Sequence, residues 1–178
     1  MIRTFISLDI PLTDGIAAVL DEMKIADNVR PVPEGQIHLT LKFLGDQDER
    51  KVEGLCSSLR DALSGTGPFD IVVEGVGAFP DMKHPKVVWL GIKDPELLIG
   101  LADKVDSVIK GLKMKADDKR FSPHITVGRV SGRTDLKDIF ARYEKTSFCS
   151  FTCGHVDVMR SVLTPKGAIH SMIESIEL

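Results

Sequence analysis

Two short segments half a chain apart constrain the fold of this protein more than any other feature. HLTLKFLG covers residues 38–45, and HITVGRV covers residues 124–130. Their leading histidines are 86 positions apart in a chain of 178 residues. Both segments alternate polar and apolar side chains, the pattern of a β-strand with one buried face. The repeat at half-chain spacing favours two similar α/β lobes that face each other across a pseudo-twofold axis and share one cleft.

The rest of the chain alternates between helical and strand patterns, and no long flexible linker divides it. Apolar residues recur at helical spacing over residues 12–26, 52–63, 97–112 and 136–143. Strand patterns cover residues 2–10, 36–44, 69–79, 86–92, 147–153, 155–162 and 168–177. The turn PDMKHP favours a hairpin between the third and fourth of these strands. We therefore predict a single bilobal domain over residues 1–178.

Composition and charge narrow the class of protein. Hydrophobic residues make up 43% of the chain and charged residues 28%, as in ordinary globular proteins. The formal net charge is −3, which argues against a nucleic-acid binder that is basic throughout. Residues 114–133 nevertheless hold a local excess of positive charge, with Lys115, Lys119, Arg120, Arg129 and Arg133 against Asp117 and Asp118. Taken alone, this segment fits a polyanion site and a solvated charged loop equally well.

The sequence predicts a cytoplasmic protein that does not enter a membrane. No apolar run reaches the roughly 18 residues that a membrane-spanning helix needs. The N-terminal segment MIRTFISLDIP lacks the long apolar stretch and cleavage site of a signal peptide.

The three cysteines do not suggest a disulfide framework, because their number is odd and their spacing irregular. Cys149, Cys153 and His155 lie close together in sequence, but no second pair of ligands completes a four-coordinate zinc site. Buried thiols on a strand are the favoured interpretation, and no metal site is predicted.

The two motif strands are predicted to have a polar front and an apolar back, since successive side chains of a strand point to opposite faces. In the first strand, His38, Thr40 and Lys42 would share the front, with Leu39, Leu41 and Phe43 behind. In the second strand, His124, Thr126 and Gly128 would share the front, with Ile125 and Val127 behind.

Two imidazoles that face one ligand suit general acid–base chemistry. An unperturbed histidine has a pKa of about 6.5, so one ring can accept a proton while the other donates one near neutral pH. Threonine hydroxyls can donate hydrogen bonds to anionic oxygens. A single His-x-Thr strand is more often structural. Two copies in matching strands favour a phosphodiester site that needs no metal or cofactor.

These motifs resemble those of the 2H phosphoesterase superfamily, whose signature is two His-x-Thr/Ser-x motifs. Within it, the chain is most similar to the RNA 2',3'-cyclic phosphodiesterase branch, also called ThpR, LigT or the 2'-5' RNA ligases. HLTLKFLG and FSPHITVGRV resemble the two motifs of the branch, and RTFISLDIP and GVGAFPDMKHPKVVWLGI resemble its opening strand and middle hairpin. The tail MRSVLTPKGAIHSM departs from the branch, with Arg160 where an acid is common and His170 near the usual tyrosine.

The resemblance implies a bilobal α/β fold, of α+β type, in which two antiparallel sheets line a central groove. It also implies hydrolysis of a 2',3'-cyclic phosphate at an RNA end to a 2'-phosphomonoester. By this analogy His124 is the general base on water and His38 protonates the departing 3'-oxygen. Thr40 and Thr126 would bind the non-bridging oxygens. The partner would be RNA, such as a tRNA fragment, and the resemblance also implies reversible 2'-5' RNA ligation without ATP; we expect a monomer.

Three residues are candidates for further substrate contacts. Lys42 shares the predicted face of His38, although a rim lysine is an equal alternative. Arg129 has the wrong parity for the groove unless Gly128 permits a bulge, and otherwise it would pair with an acid behind the sheet. Phe79 could stack on a nucleobase, with a core role slightly favoured.

Other polar residues are less defined by the sequence. Arg3 could point to either face of its strand, and His170 is open because its neighbourhood resembles a substrate-contacting tail. His84 and His155 are interpreted as structural or surface residues, and Trp89 as a core residue.

Two other functions fit the same residues. A phosphodiesterase that acts on a small cyclic nucleotide or a cyclic ADP-ribose phosphate would use the same site with a shorter groove. An RNA-end binding module would need tight binding that survives loss of both motif histidines. The two titrating groups argue against the second alternative, because pure binding does not require them.

Overall fold

The computed structural model describes residues 1–165 and 167–178. This part of the chain contains nine strands, four α-helices and one short 3-10 helix. The elements in chain order are β1 (Ile2–Asp9), α1 (Asp14–Ile25), β2 (Val29–Pro31), the 3-10 helix (Glu34–Gln36), β3 (His38–Gln47), α2 (Glu49–Leu63), β4 (Phe69–Phe79), β5 (Val87–Lys93), α3 (Glu96–Gly111), β6 (Ile125–Val130), α4 (Lys137–Tyr143), β7 (Ser147–Cys153), β8 (His155–Thr164) and β9 (Gly167–Glu177).

The predicted helices and strands are all present, and one strand was missed. β2 spans only Val29–Pro31 and pairs with β6 at the edge of a sheet. Its segment contains a proline, which is typical of a chain break because proline is found mainly on edge strands or in turns. The hairpin predicted from PDMKHP is confirmed, since β4 pairs antiparallel with β5.

The strands form two antiparallel sheets, which confirms the predicted α+β architecture. The four-stranded sheet has the order β3-β1-β8-β9, and the five-stranded sheet has the order β2-β6-β5-β4-β7. Helices α2 and α3 pack against the four-stranded sheet, on β9 and β3 respectively. Helix α1 packs against β2, β6 and β7 of the five-stranded sheet, where α4 also lies against β4.

The order of the central strands matches the predicted internal repeat. β3-β1-β8 in one sheet corresponds to β6-β5-β4 in the other, with a motif strand first in each set. The helix that precedes each motif strand packs on the opposite sheet: α1 on the sheet of β6, and α3 on the sheet of β3. The two lobes are therefore interleaved along the chain and do not correspond to its two halves.

In each lobe, the helices form one layer and the sheet forms another. The apolar side chains of the helices are buried against the sheet, and this burial holds the helix layer to the sheet. α1 begins after Thr13, whose hydroxyl accepts a hydrogen bond from the Ile16 amide at 3.4 Å. α2 begins after Asp48, whose carboxylate accepts one from the Arg50 amide at 2.9 Å. Buried residues from both sheets and all four helices belong to one continuous hydrophobic cluster. Within the described residues, no helix is both long and apolar enough to cross a membrane.

Candidate active site

The two motif strands hold their polar residues on one face by burying the other. His38 opens β3 and His124 directly precedes β6. Leu39 and Ile125, the residues between each histidine and its threonine, are fully buried. The histidines and threonines themselves are half-buried. The predicted polar front and apolar back are therefore confirmed for the first three residues of each motif. We call the face of each sheet that carries the motif histidine and threonine the histidine face of that sheet.

The two imidazoles are anchored in the same way. Nδ1 of His38 lies 2.7 Å from the carbonyl oxygen of Gln36, and Nδ1 of His124 lies 2.6 Å from that of Ser122. A carbonyl can only accept, so Nδ1–H is the donor in both cases. In its neutral form each ring therefore has its lone pair on Nε2, the atom that can take up or release a proton.

Each motif histidine also packs against a phenylalanine. The His38 ring centroid is 5.1 Å from that of Phe5, which is buried in β1. The His124 ring centroid is 5.0 Å from that of Phe79 at the end of β4, with the two planes at 84°. Phe79 also lies 5.3 Å from Trp89. The phenylalanines restrict the rotation of the two imidazoles, and Phe5 is a site residue that no sequence motif marked.

Both motif strands contain an extra residue at the same offset from the histidine. In the pairing of β1 with β3, Ser7 faces Thr40 and Ile6 faces Lys42, which leaves Leu41 as the extra residue. In the pairing of β5 with β6, Trp89 faces Thr126 and Val88 faces Gly128, which leaves Val127 as the extra residue. Each is a β-bulge, which reverses the alternation of the residues that follow it.

The bulge at Leu41 makes the predicted position of Lys42 wrong. The Lys42 ammonium lies 3.0 Å from the Asp106 carboxylate on α3 and 3.6 Å from that of Asp117. It therefore points toward the helix layer, away from His38. Phe43 takes the expected place of Lys42, with its ring 5.7 Å from the Phe5 ring that supports His38. The prediction that Phe43 is buried behind the strand is also wrong, because its side chain is 46% exposed.

The bulge at Val127 turns Arg129 toward the histidine face. A Cβ at Gly128 would lie 3.1 Å from Val29 and 3.2 Å from the Met23 sulfur of α1, so this position faces the helix layer. Arg129, the next residue, is exposed on the opposite side. Its positive charge acts on His38 in the other sheet. The sequence left two orientations of Arg129 open. In the structure Arg129 has the orientation toward the histidine face, which requires the bulge.

The electrostatics of the site suit an anion. Burial lowers the pKa of His38 below its usual 6.5, the positive charges of Arg129 and His124 lower it further, and the Gln36 carbonyl and Asp9 carboxylate oppose this effect. The effect of His124 on His38 follows from the position of β3 against β6. The positive charges of the five-stranded sheet therefore act on His38 in the other sheet, and an anionic ligand bound between them would offset this effect.

Polar side chains on the neighbouring strands lie beside Thr40 and Thr126 on the two histidine faces. Thr40 faces Ser7 in β1, which in turn faces Asp157 in β8, and both of these are buried. Thr126 faces Trp89 in β5. Asp157 Oδ1 and Trp89 Nε1 are buried and have no hydrogen-bond partner among the described residues. The interpretation of Trp89 as a core residue missed this position beside Thr126, and no motif in the sequence marks Asp157.

The positively charged segment at residues 114–133 begins in the loop between α3 and the second motif. Its backbone is tied to β3, since the Asp117 amide donates to the Phe43 carbonyl at 3.0 Å and the Gln47 side chain donates to the Lys115 carbonyl at 2.9 Å. Lys119 and Arg120 are exposed on this loop. The start of this loop, at Lys115 and Asp117, therefore lies along the edge of the four-stranded sheet that carries His38.

The remaining sequence candidates lie in defined places. Arg3 is exposed on the same face of β1 as Phe5, two residues away. His84 and His155 are exposed, as predicted. The Cys153 thiol donates to the backbone carbonyl of His155 at 3.5 Å. Across residues 1–165 and 167–178, no group of three or more His, Cys, Asp or Glu side chains is placed to hold a metal ion.

Comparison with known proteins gives consistent matches over nearly the whole chain. The profile of the 2'-5' RNA ligase superfamily matches residues 12–164. The chain is 35% identical to the RNA 2',3'-cyclic phosphodiesterase of Methanothermobacter thermautotrophicus, over 99% of both sequences. The crystal structure of TT0787 of Thermus thermophilus has the same fold, with a TM-score of 0.84, 24% identity and coverage of 99% of this chain and 97% of that one. The crystal structure of E. coli LigT complexed with 3'-AMP gives a TM-score of 0.82 at 22% identity, with 99% and 98% coverage.

Proposed function

Because this chain belongs to the 2'-5' RNA ligase superfamily, we propose that it hydrolyses 2',3'-cyclic phosphates at RNA ends to 2'-phosphomonoesters. The relative that is 35% identical is named for this activity. One observation carries the proposal. The motif histidines are anchored through Nδ1 on equivalent carbonyls, so each presents a free Nε2 beside a threonine. Two such groups on facing strands supply the proton acceptor and the proton donor that phosphodiester hydrolysis needs.

In the proposed mechanism, a water molecule attacks phosphorus while Nε2 of His124 takes one of its protons. The bond between phosphorus and the 3'-oxygen breaks, and Nε2–H of His38 donates a proton to that oxygen. The products are a 2'-phosphomonoester and a free 3'-hydroxyl. Thr40 and Thr126 donate hydrogen bonds to the non-bridging oxygens. The same site would carry out 2'-5' ligation when an RNA hydroxyl replaces water.

Substrate binding prepares His38 for this role. The general acid must begin protonated, whereas burial and nearby positive charges lower the pKa of His38 in the free protein. The negative charge of a bound phosphodiester opposes both effects and raises the pKa of the ring. Arg129, whose charge reaches His38, would bind the same anion. We therefore expect the proton to be taken up by His38 together with the substrate.

The proposed partner is RNA that ends in a cyclic phosphate. The exposed Lys119 and Arg120 on the loop tied to β3 would attract the phosphates that precede the terminal nucleotide. Phe79 packs beside His124 and would orient that histidine. The exposed edge of the Phe79 ring would contact the terminal nucleoside. We expect the protein to act as a monomer in the cytoplasm, which size-exclusion chromatography and cell fractionation can check.

The test uses an RNA oligonucleotide with a terminal 2',3'-cyclic phosphate in the presence of EDTA. We expect the phosphorus NMR signal of the cyclic ester to be replaced by that of a 2'-phosphomonoester. Adenosine 2',3'-cyclic monophosphate is compared in parallel, because faster turnover of the mononucleotide would favour a small cyclic nucleotide as the substrate. Failure to hydrolyse either compound would refute the proposal.

A further inference from the structure

A third histidine, His170, reaches the site of His38 from β9, the edge strand opposite β3 in the four-stranded sheet. His170 lies on β9 and faces Ser161 of β8, which faces Arg3 of β1. Its ring centroid is 4.8 Å from that of Phe5 and 5.3 Å from that of His38, with the two imidazole planes at 85°. The small side chain of Ser161 leaves room for the ring to lie across β8. The rings of Phe5, His38 and His170 therefore contact one another.

The hydrogen bonding of His170 indicates where its proton lies. Nδ1 of this ring is buried and has no partner among residues 1–165 and 167–178. A buried N–H without an acceptor is rarer in proteins than a buried acceptor without a donor. The favoured neutral form therefore has its lone pair on Nδ1 and its proton on Nε2. His38 has the opposite arrangement, because its Nδ1–H donates to the carbonyl of Gln36.

The surroundings of His170 also keep it uncharged. Burial lowers its pKa below the usual 6.5, and the positive charge of His38 lowers it further. When His38 is protonated, a second proton on a ring 5.3 Å away is disfavoured. His170 is therefore unsuited to a second acid–base role. It is suited to neutral hydrogen bonding at the histidine face.

We propose that His170 is a substrate-binding residue whose neutral Nε2–H donates a hydrogen bond to a phosphate oxygen on the His38 side of the site. The inference rests on the proposed function, because it needs a phosphate held between the two motif histidines. Among the described residues, the ring contact of His124 is with the apolar ring of Phe79, whereas His38 contacts both Phe5 and His170. The extra donor thus makes two otherwise matched halves of the site different.

Two substitutions separate the hydrogen bond donated by His170 from the packing of its ring against Phe5. His170→Phe keeps a ring against Phe5 and removes the donor, whereas His170→Gln keeps an N–H donor and removes the ring. We expect kcat/KM on the cyclic-phosphate oligonucleotide to fall roughly 10- to 100-fold in His170→Phe, the range for a lost hydrogen bond to a charged group. His170→Gln should keep most of the activity and the wild-type pH profile. His155→Phe, at an exposed position of β8, is the matched control.

The opposite ranking would overturn the inference. If His170→Phe is as active as wild type, the ring acts by packing and not as a donor. If His170→Gln loses as much as His170→Phe, a retained N–H does not support activity and the proposed hydrogen bond is contradicted. A wild-type protein that does not hydrolyse the oligonucleotide refutes the proposed function instead. The two failures are therefore distinct.

Nitrogen-15 NMR of the wild-type protein tests His170 without turnover or substitution. We expect the neutral ring to carry its proton on Nε2 and its Nε2–H signal to shift when inorganic phosphate is added. A proton on Nδ1, or an Nε2–H signal that phosphate does not move, would overturn the inference even in an active enzyme.

Discussion

Leu41 and Val127 occupy equivalent places, each as the one unpaired residue three positions after a motif histidine. The two bulges have different consequences because different residues follow them. After Leu41, the bulge directs Lys42 to Asp106 in the helix layer. After Val127, it directs Arg129 to the histidine face. The motif strands thus share a backbone device that gives the site a positive charge from one strand and an aromatic ring, Phe43, from the other.

Replacement of Arg129 should weaken substrate binding and change the titration of His38. We expect Arg129→Met to lower kcat/KM by roughly 10- to 100-fold, as expected for a lost charge-assisted contact to phosphate. The pKa of His38 should rise, because the positive charge of Arg129 lowers it in the wild-type protein. Carbon-13 NMR titration of the histidine rings measures this shift.

Arg133→Met is the matched control, since Arg133 is exposed on the loop after β6. An unchanged His38 titration in Arg129→Met would mean that the guanidinium does not reach the histidine face.

Addition of a methyl group at Gly128 should destabilise the protein. Its Cβ would lie 3.1 Å from Val29 and 3.2 Å from Met23, both tighter than ordinary contacts. We expect Gly128→Ala to lower the free energy of unfolding by about 1–3 kcal/mol, the usual range for overpacking. Gly100→Ala is the control, because nothing lies within 4 Å of its added Cβ on α3. That variant should gain up to about 1 kcal/mol from helix propensity. Urea denaturation of the two variants in parallel should show changes of opposite sign in the free energy of unfolding. Changes of the same sign would contradict the packing of Gly128 against α1.

Lys42 should contribute to stability and not to substrate binding. We expect Lys42→Met to lower the free energy of unfolding by about 1–2 kcal/mol, between the values for exposed and buried ion pairs. Its KM should stay within about twofold of wild type, because the ammonium points away from the histidine face. Lys110→Met, which removes only the exposed partner of Asp106, should cost less stability. A large rise in KM for Lys42→Met and not for Lys110→Met would contradict this assignment. It would support the groove-facing position of Lys42 that strand alternation predicts.

The stability of the protein should depend on pH through His38 and His170. Burial lowers the folded-state pKa of both rings below 6.5. Below that pH the unfolded chain binds more protons than the folded chain, so the free energy of unfolding falls as the pH drops and levels off below the folded pKa values. Above about 6.5 both rings are neutral in both states and the dependence disappears.

Urea denaturation between about pH 5 and 7 measures this effect. We expect the slope against pH to be smaller in His170→Phe than in wild type or in His155→Phe. A slope of opposite sign would contradict the lowered pKa values.

Much of the fold could be predicted from periodicity, because most helices and strands carry a clear apolar face. The histidines and threonines of the site followed from the same alternation. The prediction failed at Lys42, since nothing in the local sequence marks Leu41 as an extra residue, whereas Gly128 gave a signal of the second bulge. Phe5 carried no signal of its own in the sequence, and the role of His170 was left open because its neighbourhood only resembled a substrate-contacting tail. They reach His38 from other strands, and only the pairing of β1, β8 and β9 brings them there.

The central claim is that His38 and His124 transfer protons to and from a cyclic phosphate. The most direct test is the single-turnover rate of His38→Ala and His124→Ala on the cyclic-phosphate oligonucleotide, with EDTA present and folding checked by circular dichroism. We predict that each folded variant loses at least about 100-fold in rate, the lower end of the range for a general acid or base. Wild-type rates in either folded variant would contradict the account.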